Sequence, residues 1–341
     1  MLEWFRTHPT DGSYRVLIIG GSVAAGYAKE TTASGRHPLA EHLLKSRNLS
    51  HLSRIDGTIG DGVEVLNYAH AAYKQPQQVM RLAYLLSMGY VPDLVINIDG
   101  YNEVSGGLFN ASRGVHPLYP SPTTWGLWLT ARNDQDSILA RAELVRLAES
   151  KTRLGRLAES WGLARSSVAS AVILRRLRAM NRTGAAIQTT LSRPNPDNVI
   201  EFRQSHGPDF DSEESAVRDT CVRNWHESSL SILAMCQLRE IKYVHILQPS
   251  LCLIDSKPYS PEELAIVEAT GRSRYVDGGF RALRTLGPDL RSKGVHFFDA
   301  MDLLESEERT AYIDPVHFNS TGRASFVEFL NAAVAEALRA Q

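Results

Sequence analysis

Three short apolar runs in the first hundred residues set the strongest limit on the fold of this chain. They cover residues 15–20, 63–67 and 93–98. Runs of this length, closed by glycine or preceded by proline, are typical of buried parallel strands. The stretch 75–88 lies between the second and third runs and has apolar residues at helical spacing. The alternation of strands and helices predicts a parallel sheet with helices on both faces.

The same pattern returns near the end of the chain. We expect a helix over 213–239, a strand over 243–247, a helix from 260 to about 290, a strand over 295–298 and a final helix over 321–339. Ser260 and Pro261 are a favourable helix start, because serine caps a helix and proline fits its first turn. The two halves, 1–104 and 213–341, therefore form one α/β domain: a three-layer α/β/α sandwich with a mainly parallel sheet.

Residues 105–212 interrupt this domain as a predicted helical insertion. It begins with a loop-like aromatic stretch that includes Trp125 and Trp128, and it continues over 137–180 as helices rich in arginine. One interpretation is a solvated helical hairpin, since charged runs usually lie on solvated faces. The alternatives are a lid over the substrate cleft or a docking surface for a partner protein.

Composition excludes several functional classes. The 341 residues carry 37 Lys and Arg against 38 Asp and Glu, so no global positive field draws in nucleic acid. No apolar run approaches the roughly 20 residues of a membrane span, and the start of the chain lacks the features of a signal peptide. These features predict a cytoplasmic protein. The three cysteines are odd in number and lack metal-ligand spacing, so we expect neither disulfides nor a metal site.

Ser22 follows the first predicted strand directly, after Gly20 and Gly21. This position lies at the carboxyl end of a parallel strand, where open α/β sheets bind their ligands. Glycines allow a tight turn there, and the helix that follows leaves backbone N–H groups unpaired. Taken alone, the segment fits a phosphate-binding turn as well as a nucleophilic serine.

Two further segments favour the nucleophile. Asp314 and His317 lie in a loop before the last helix, where the carboxylate can orient the imidazole that takes a proton from serine. Asn102 follows the third strand, which brings it to the same edge as Ser22. Its amide can donate a hydrogen bond to a developing oxyanion.

With these segments in place, the sequence resembles the SGNH (GDSL-like) hydrolases. The resemblance rests on four blocks and extends over about 15–104 and 213–338. The blocks are Val16–Gly26, Asn67–Tyr73, Gly100–Glu103 and Asp314–His317. It implies a flavodoxin-like SGNH fold, with Ser22 as nucleophile, His317 as base and Asp314 as the orienting acid.

The resemblance also implies an oxyanion hole and a set of substrate contacts. The oxyanion donors would be the N–H of Ser22, the N–H of Ala69 and the side chain of Asn102. The expected substrate contacts are Gly21, His70, Tyr101, Glu103 and Trp125. The chain departs from the family pattern at Gly21, where the family has Asp, at Ala69, where it has Gly, and at Glu103, where Asp is common.

The resulting prediction is a serine esterase that hydrolyses carboxylic esters through an acyl-Ser22 intermediate, without a metal or organic cofactor. The expected substrates are small-molecule or carbohydrate esters, above all acetyl esters of a sugar or another polar alcohol. An acyltransferase with the same triad is the nearest alternative. A nucleotide-binding protein and a non-catalytic binding domain on the same fold are the alternatives from other classes. Nucleotide binding is disfavoured because the chain lacks, after Gly26, the lysine of a phosphate-binding loop.

Overall fold

A parallel sheet of five strands forms the centre of the protein. The computed structural model describes residues 13–45, 62–120, 135–160, 162, 166–191, 209–270 and 274–339. The strands are β1 (Tyr14–Gly20), β2 (Val63–Asn67), β3 (Leu94–Asp99), β4 (Lys242–Leu247) and β5 (His296–Asp299). They lie in the order β2-β1-β3-β4-β5, and every pair is parallel. This is the flavodoxin-like order, so the predicted fold class is confirmed.

Helices account for most of the remaining described residues. The helices that precede β4 in the chain are α1 (Ser22–Tyr27), α2 (Pro38–Lys45), α3 (Gln77–Ser87), α4 (Tyr101–Ala111), α5 (Gln135–Ser160), α6 (Ser167–Leu191) and α7 (Glu214–Leu238). After β4 come α8 (Pro261–Thr270), α9 (Arg274–Thr285), α10 (Gly287–Ser292) and α11 (Ser320–Arg339). The single helix predicted from 260 to about 290 is thus divided into three shorter helices.

Both faces of the sheet are covered, which explains why its central strands read as continuous apolar runs. Successive side chains of a strand point to opposite faces. Val16 and Ile18 therefore join a core with residues of α1, α2 and α11, while Leu17 and Ile19 join a second core with α3, α7, α9 and α10. The result is the expected three-layer sandwich.

The register of β1 and β3 positions the candidate site. Gly20, the last residue of β1, pairs with Ile98 near the end of β3. The chain leaves β1 towards Ser22 and leaves β3 towards Asn102, at neighbouring points of one sheet edge. In this strand order the β1/β3 boundary is the switch point where such sheets form their ligand crevice.

Residues 105–111 differ from the predicted start of the insertion, because they continue helix α4. This helix packs against α7 and α9. Gly107 allows the close approach, since a Cβ atom there would lie 2.2 Å from the Cys221 sulfur. By their contacts the residues fall into two compact units, Met1–Pro122 with Pro208–Gln341, and Thr123–Gly207.

The second unit contains α5 and α6, which pack against each other. From Ile173 onwards, the residues of α6 that are not exposed recur at alternating steps of four and three. They are Ile173, Leu177, Met180, Gly184, Ile187 and Leu191. This spacing is that of a coiled-coil seam. Gly184 faces Leu144 and Leu147 of α5, so the two helices form a hairpin with its arginines on the outside.

No helix within the described ranges is long and apolar enough to cross a membrane. In the same ranges, no group of three or more His, Cys, Asp or Glu side chains could hold a metal ion.

Candidate active site

Ser22 is the first residue of α1 and lies directly beyond the end of β1. The turn needs glycine at Gly20, which has a φ of 136° and where a Cβ atom would lie 2.0 Å from the Ile98 carbonyl oxygen. As the first helical residue, Ser22 has a backbone N–H with no acceptor inside its own helix. Ser22 therefore provides both a hydroxyl group and a backbone N–H donor at the edge of the sheet.

The structure brings Ser22, His317 and Asp314 together. His317 Nε2 lies 2.8 Å from Ser22 Oγ, and His317 Nδ1 lies 2.6 Å from Asp314 Oδ2. Both distances are those of hydrogen bonds. The side chains of His317 and Asp314 are 38% and 43% exposed, so the group is open to a ligand from solvent.

Asp314 is held as a carboxylate by its own loop. Its Oδ1 accepts the N–H groups of Val316 and His317, at 2.9 and 2.8 Å. Burial favours the neutral acid, but these bonds and the bond to the His317 ring outweigh it and lower the pKa of Asp314. An ionised Asp314 keeps a proton on Nδ1 of His317, which leaves Nε2 to accept the proton of Ser22.

The Asn102 amide lies beside the nucleophile. Its Nδ2 donates to the Tyr73 carbonyl oxygen at 2.9 Å, which uses one of the two N–H groups of the amide. A Cβ atom on Gly21 would lie 2.4 Å from the same nitrogen. Gly21, predicted as a substrate contact, makes room for this amide next to Ser22.

The Ala69 N–H, predicted as an oxyanion donor, has a hydrogen-bond partner within its own loop, and its role towards an oxyanion stays a prediction. This N–H donates to Asn67 Oδ1 at 3.1 Å, and the next N–H, that of His70, donates to the Gly20 carbonyl at 3.1 Å. Both donors of this loop are satisfied within the protein. The other two predicted oxyanion donors are the Ser22 N–H and the side chain of Asn102, whose amide lies against Gly21.

The prediction that Glu103 contacts substrate is wrong, because its side chain is 3% exposed. Its carboxyl group accepts hydrogen bonds from the N–H of Gly100 at 2.8 Å, the N–H of Gln75 at 3.1 Å and the Gln78 amide at 3.2 Å. Burial, and then the charge of Asp99, raise its pKa to about 8. Through these bonds Glu103 connects the start of α4 to Gln75, in the loop before α3 that also contains Tyr73.

The remaining predicted substrate contacts lie at different places around the site. His70 is exposed, and its ring lies 4.8 Å from that of Tyr73. Tyr101 is half-buried, and burial raises the pKa of its phenol. Trp125 lies outside the described residues.

Several supporting residues escape sequence reasoning. Tyr73 acts through its backbone oxygen, which no side-chain motif reveals. Asp99 is buried and accepts hydrogen bonds from Gln75 at 3.2 Å and Asn97 at 2.7 Å. The available signal was the pair of polar residues inside β3, Asn97 and Asp99, because buried polar groups in a central strand need partners.

The assembled groups can perform nucleophilic acyl chemistry. A hydroxyl is hydrogen-bonded to an imidazole, and the imidazole to a carboxylate. This is the relation between nucleophile, base and orienting acid that covalent catalysis requires.

Comparison with known proteins gives matches among solved structures only. No protein-family model matches the chain, and no curated protein matches it. A GDSL-like lipase from Bacteroides thetaiotaomicron matches with a TM-score of 0.39 and 10% identity, over 95% of this chain and 88% of the lipase. An acetylxylan esterase from Geobacillus stearothermophilus matches with a TM-score of 0.38 and 11% identity, over 96% and 95% of the two chains. In fold, the chain is similar to this lipase and this esterase.

Proposed function

We propose that the protein is a serine esterase that cleaves carboxylic esters through an acyl-Ser22 intermediate. The observation that carries the proposal is the position of His317, whose two ring nitrogens lie 2.8 Å from Ser22 Oγ and 2.6 Å from Asp314 Oδ2. A histidine placed in this way activates a serine without a metal or an organic cofactor.

In the first half-reaction, Ser22 Oγ attacks the ester carbonyl carbon while its proton moves to His317 Nε2. The carbonyl oxygen becomes an oxyanion and accepts hydrogen bonds from the Ser22 N–H and the Asn102 amide. Collapse of this intermediate breaks the bond to the alcohol, which leaves with the proton from His317. Water then repeats the sequence on the acyl-serine and releases the carboxylic acid.

The proposed substrate class is a small acyl group, above all acetyl, on a carbohydrate or another polar alcohol. The groups at the rim of the site support a polar, ring-shaped alcohol. His70 is exposed beside Tyr73, and the Arg81 guanidinium lies 5.4 Å from the centre of the Tyr73 ring. Aromatic rings next to hydrogen-bond donors suit the faces and hydroxyls of a sugar.

The test is labelling with a serine-directed fluorophosphonate, followed by peptide mapping. We expect one label, on Ser22, together with turnover of p-nitrophenyl acetate. Ser22→Ala should abolish both. A folded protein that takes no label would favour a non-catalytic binding domain. An added second alcohol that captures most of the acyl group in place of water would make the protein an acyltransferase.

For the unit that contains α5 and α6 we keep two proposed functions. It acts either as a lid over the substrate cleft or as a docking surface for a partner. Deletion of residues 123–207 separates them: a lid predicts loss of turnover on large esters alone, and a docking surface predicts unchanged turnover on every ester.

A further inference from the structure

A buried ion pair lies at the start of α8, outside the groups assigned to the reaction. Lys257 and Glu263 bind each other, and both side chains are completely buried. Burial opposes ionisation of Glu263, but the hydrogen bond from Lys257 and further backbone bonds hold its pKa below the usual range. A buried ion pair is weak evidence for stability, because removing two charges from water is costly. Its contacts indicate another role.

The two oxygens of Glu263 bind different parts of the chain. Oε2 accepts the N–H of Ser260 at 3.1 Å, which closes a capping box at the start of α8. Oε1 accepts the N–H groups of Ala311 at 2.8 Å and Tyr312 at 3.1 Å. One carboxylate therefore joins a helix start to a loop 48 residues further along the chain.

Lys257 strengthens the same connection. Besides Glu263, its ammonium group donates to the Pro258 carbonyl at 2.6 Å and the Arg309 carbonyl at 3.4 Å. The pair therefore contacts the backbone of this loop on both sides of residue 310.

Residues 311 and 312 form the base of the loop that bears Asp314 and His317. Tyr312 and Phe318 form an antiparallel bridge. Inside the bridge the Ile313 N–H donates to the His317 carbonyl at 2.9 Å. A displacement of the base therefore moves both catalytic side chains with respect to Ser22, which lies on another element.

We propose that Glu263, with Lys257 as its counter-ion, is a positioning residue that fixes the base of the catalytic loop so that His317 stays within reach of Ser22. The inference rests on the proposed function. A misplacement of about 1 Å at a reacting group can cost on the order of 100-fold in rate, so the predicted effect is on kcat.

Glu263→Gln tests the proposal, and Glu262→Gln is its matched control. Glu262 is the adjacent residue and is exposed, and its carboxylate accepts a hydrogen bond from the Thr310 hydroxyl. For p-nitrophenyl acetate we expect Glu263→Gln to lower kcat by roughly 10- to 100-fold with KM changed less than about 2-fold. The rate of labelling of Ser22 should fall by the same factor. Glu262→Gln should leave all three quantities within about 2-fold.

A second variant covers the case in which Glu263→Gln fails to fold because Lys257 is left without its counter-ion. The double variant Lys257→Gln with Glu263→Gln removes both charges and keeps polar groups in place. If it folds and retains wild-type kcat, the proposal is overturned. If it folds with the predicted fall in kcat, the proposal stands.

Proton NMR separates this proposal from the assignment of esterase activity. The Nδ1 proton of His317, shared with Asp314 at 2.6 Å, should give a resolved downfield signal in the wild type, and His317→Gln identifies it. Weakening of that signal in Glu263→Gln supports the positioning role even if the wild type hydrolyses no ester. An unchanged signal and an unchanged kcat overturn it while leaving the esterase intact.

Discussion

Among the described residues, two sets of serine, histidine and aspartate are hydrogen-bonded, and one of the two is open to solvent. They are Ser22–His317–Asp314 at the sheet edge and Ser229–His245–Asp99 between the sheet and α7. In the first, the histidine lies 2.8 Å from the serine oxygen and 2.6 Å from the carboxylate. In the second, the corresponding distances are 2.8 and 2.9 Å.

Their surroundings differ far more than their distances. His245 and Asp99 are 0% and 1% exposed, and Asp99 also accepts the Trp225 indole N–H at 2.6 Å. No substrate reaches that set, and its hydrogen bonds join β3, β4 and α7. Three residue types at hydrogen-bonding distance thus do not make a catalytic site. Exposure distinguishes the outer set, whose histidine and aspartate side chains are 38% and 43% exposed.

Removal of each serine should separate the two sets most clearly. Ser22→Ala should lower kcat by on the order of 10⁶ without loss of stability. Ser229→Ala leaves His245 Nδ1 without its partner, so it should lower the free energy of unfolding by about 1–3 kcal/mol and leave kcat nearly unchanged. Ester hydrolysis and urea unfolding of both variants measure these effects. Near-normal turnover by pure, folded Ser22→Ala would refute the assignment of the nucleophile.

Loss of the proposed oxyanion donor Asn102 should give the next largest effect. Asn102→Ala should lower kcat by roughly 10²–10³ with little change in KM, since the amide meets charge that develops only in the transition state. The control is Asn110→Ala in the same helix, whose amide bonds the His116 and Tyr119 carbonyls. It should reduce stability and leave kcat unaffected. An effect of Asn102→Ala on KM alone would instead make Asn102 a ground-state contact.

The last prediction concerns the pH dependence of stability around the buried set. Burial and the charge of Asp99 raise the pKa of Glu103 from 4.5 to about 8. Between these values the folded protein holds one proton more than the unfolded chain, so this group lowers the free energy of unfolding as pH rises from about 4.5 to 8. Glu103→Gln should remove this contribution and flatten the profile.

Urea unfolding of wild type and Glu103→Gln at about pH 5 and pH 7.5 measures the difference. The upper limit avoids Lys74, a buried neighbour whose pKa is lowered to about 8 by burial. As pH rises above about 8, Lys74 raises the free energy of unfolding, which is opposite to the effect of Glu103. Cys221, also close to Glu103, has a pKa raised by burial to about 11 and stays neutral throughout. Parallel profiles for the two proteins would show that Glu103 is ionised in the folded state.

The sheet and the positions of Ser22, Asn102, Asp314 and His317 could be predicted because each depends on a local pattern. A strand buried on both faces is a continuous apolar run, and the carboxyl ends of parallel strands meet at one edge. The roles of Ala69 and Glu103 could not be predicted in this way. They depend on the hydrogen bond that the Ala69 N–H donates to Asn67 and on the one that the Gln75 N–H donates to Glu103 from 28 residues away.

The continuation of α4 past Ser105 was missed for a related reason. Gly106 and Gly107 weaken a helix when they are considered locally. In the folded protein, Gly107 instead allows Cys221 of α7 to come into contact. A packing requirement imposed from 114 positions further along the chain is not visible in a local window.

The order of the site residues along the chain has a consequence for biosynthesis. Ser22 and His317 are 295 residues apart, and translation adds about 5–20 residues per second, so roughly 15 to 60 s pass between their syntheses. During that time the nascent chain has its nucleophile but not the base that activates it. Under the proposed mechanism, a ribosome-bound chain cannot acylate itself on cellular esters until the 310–318 loop has emerged and docked.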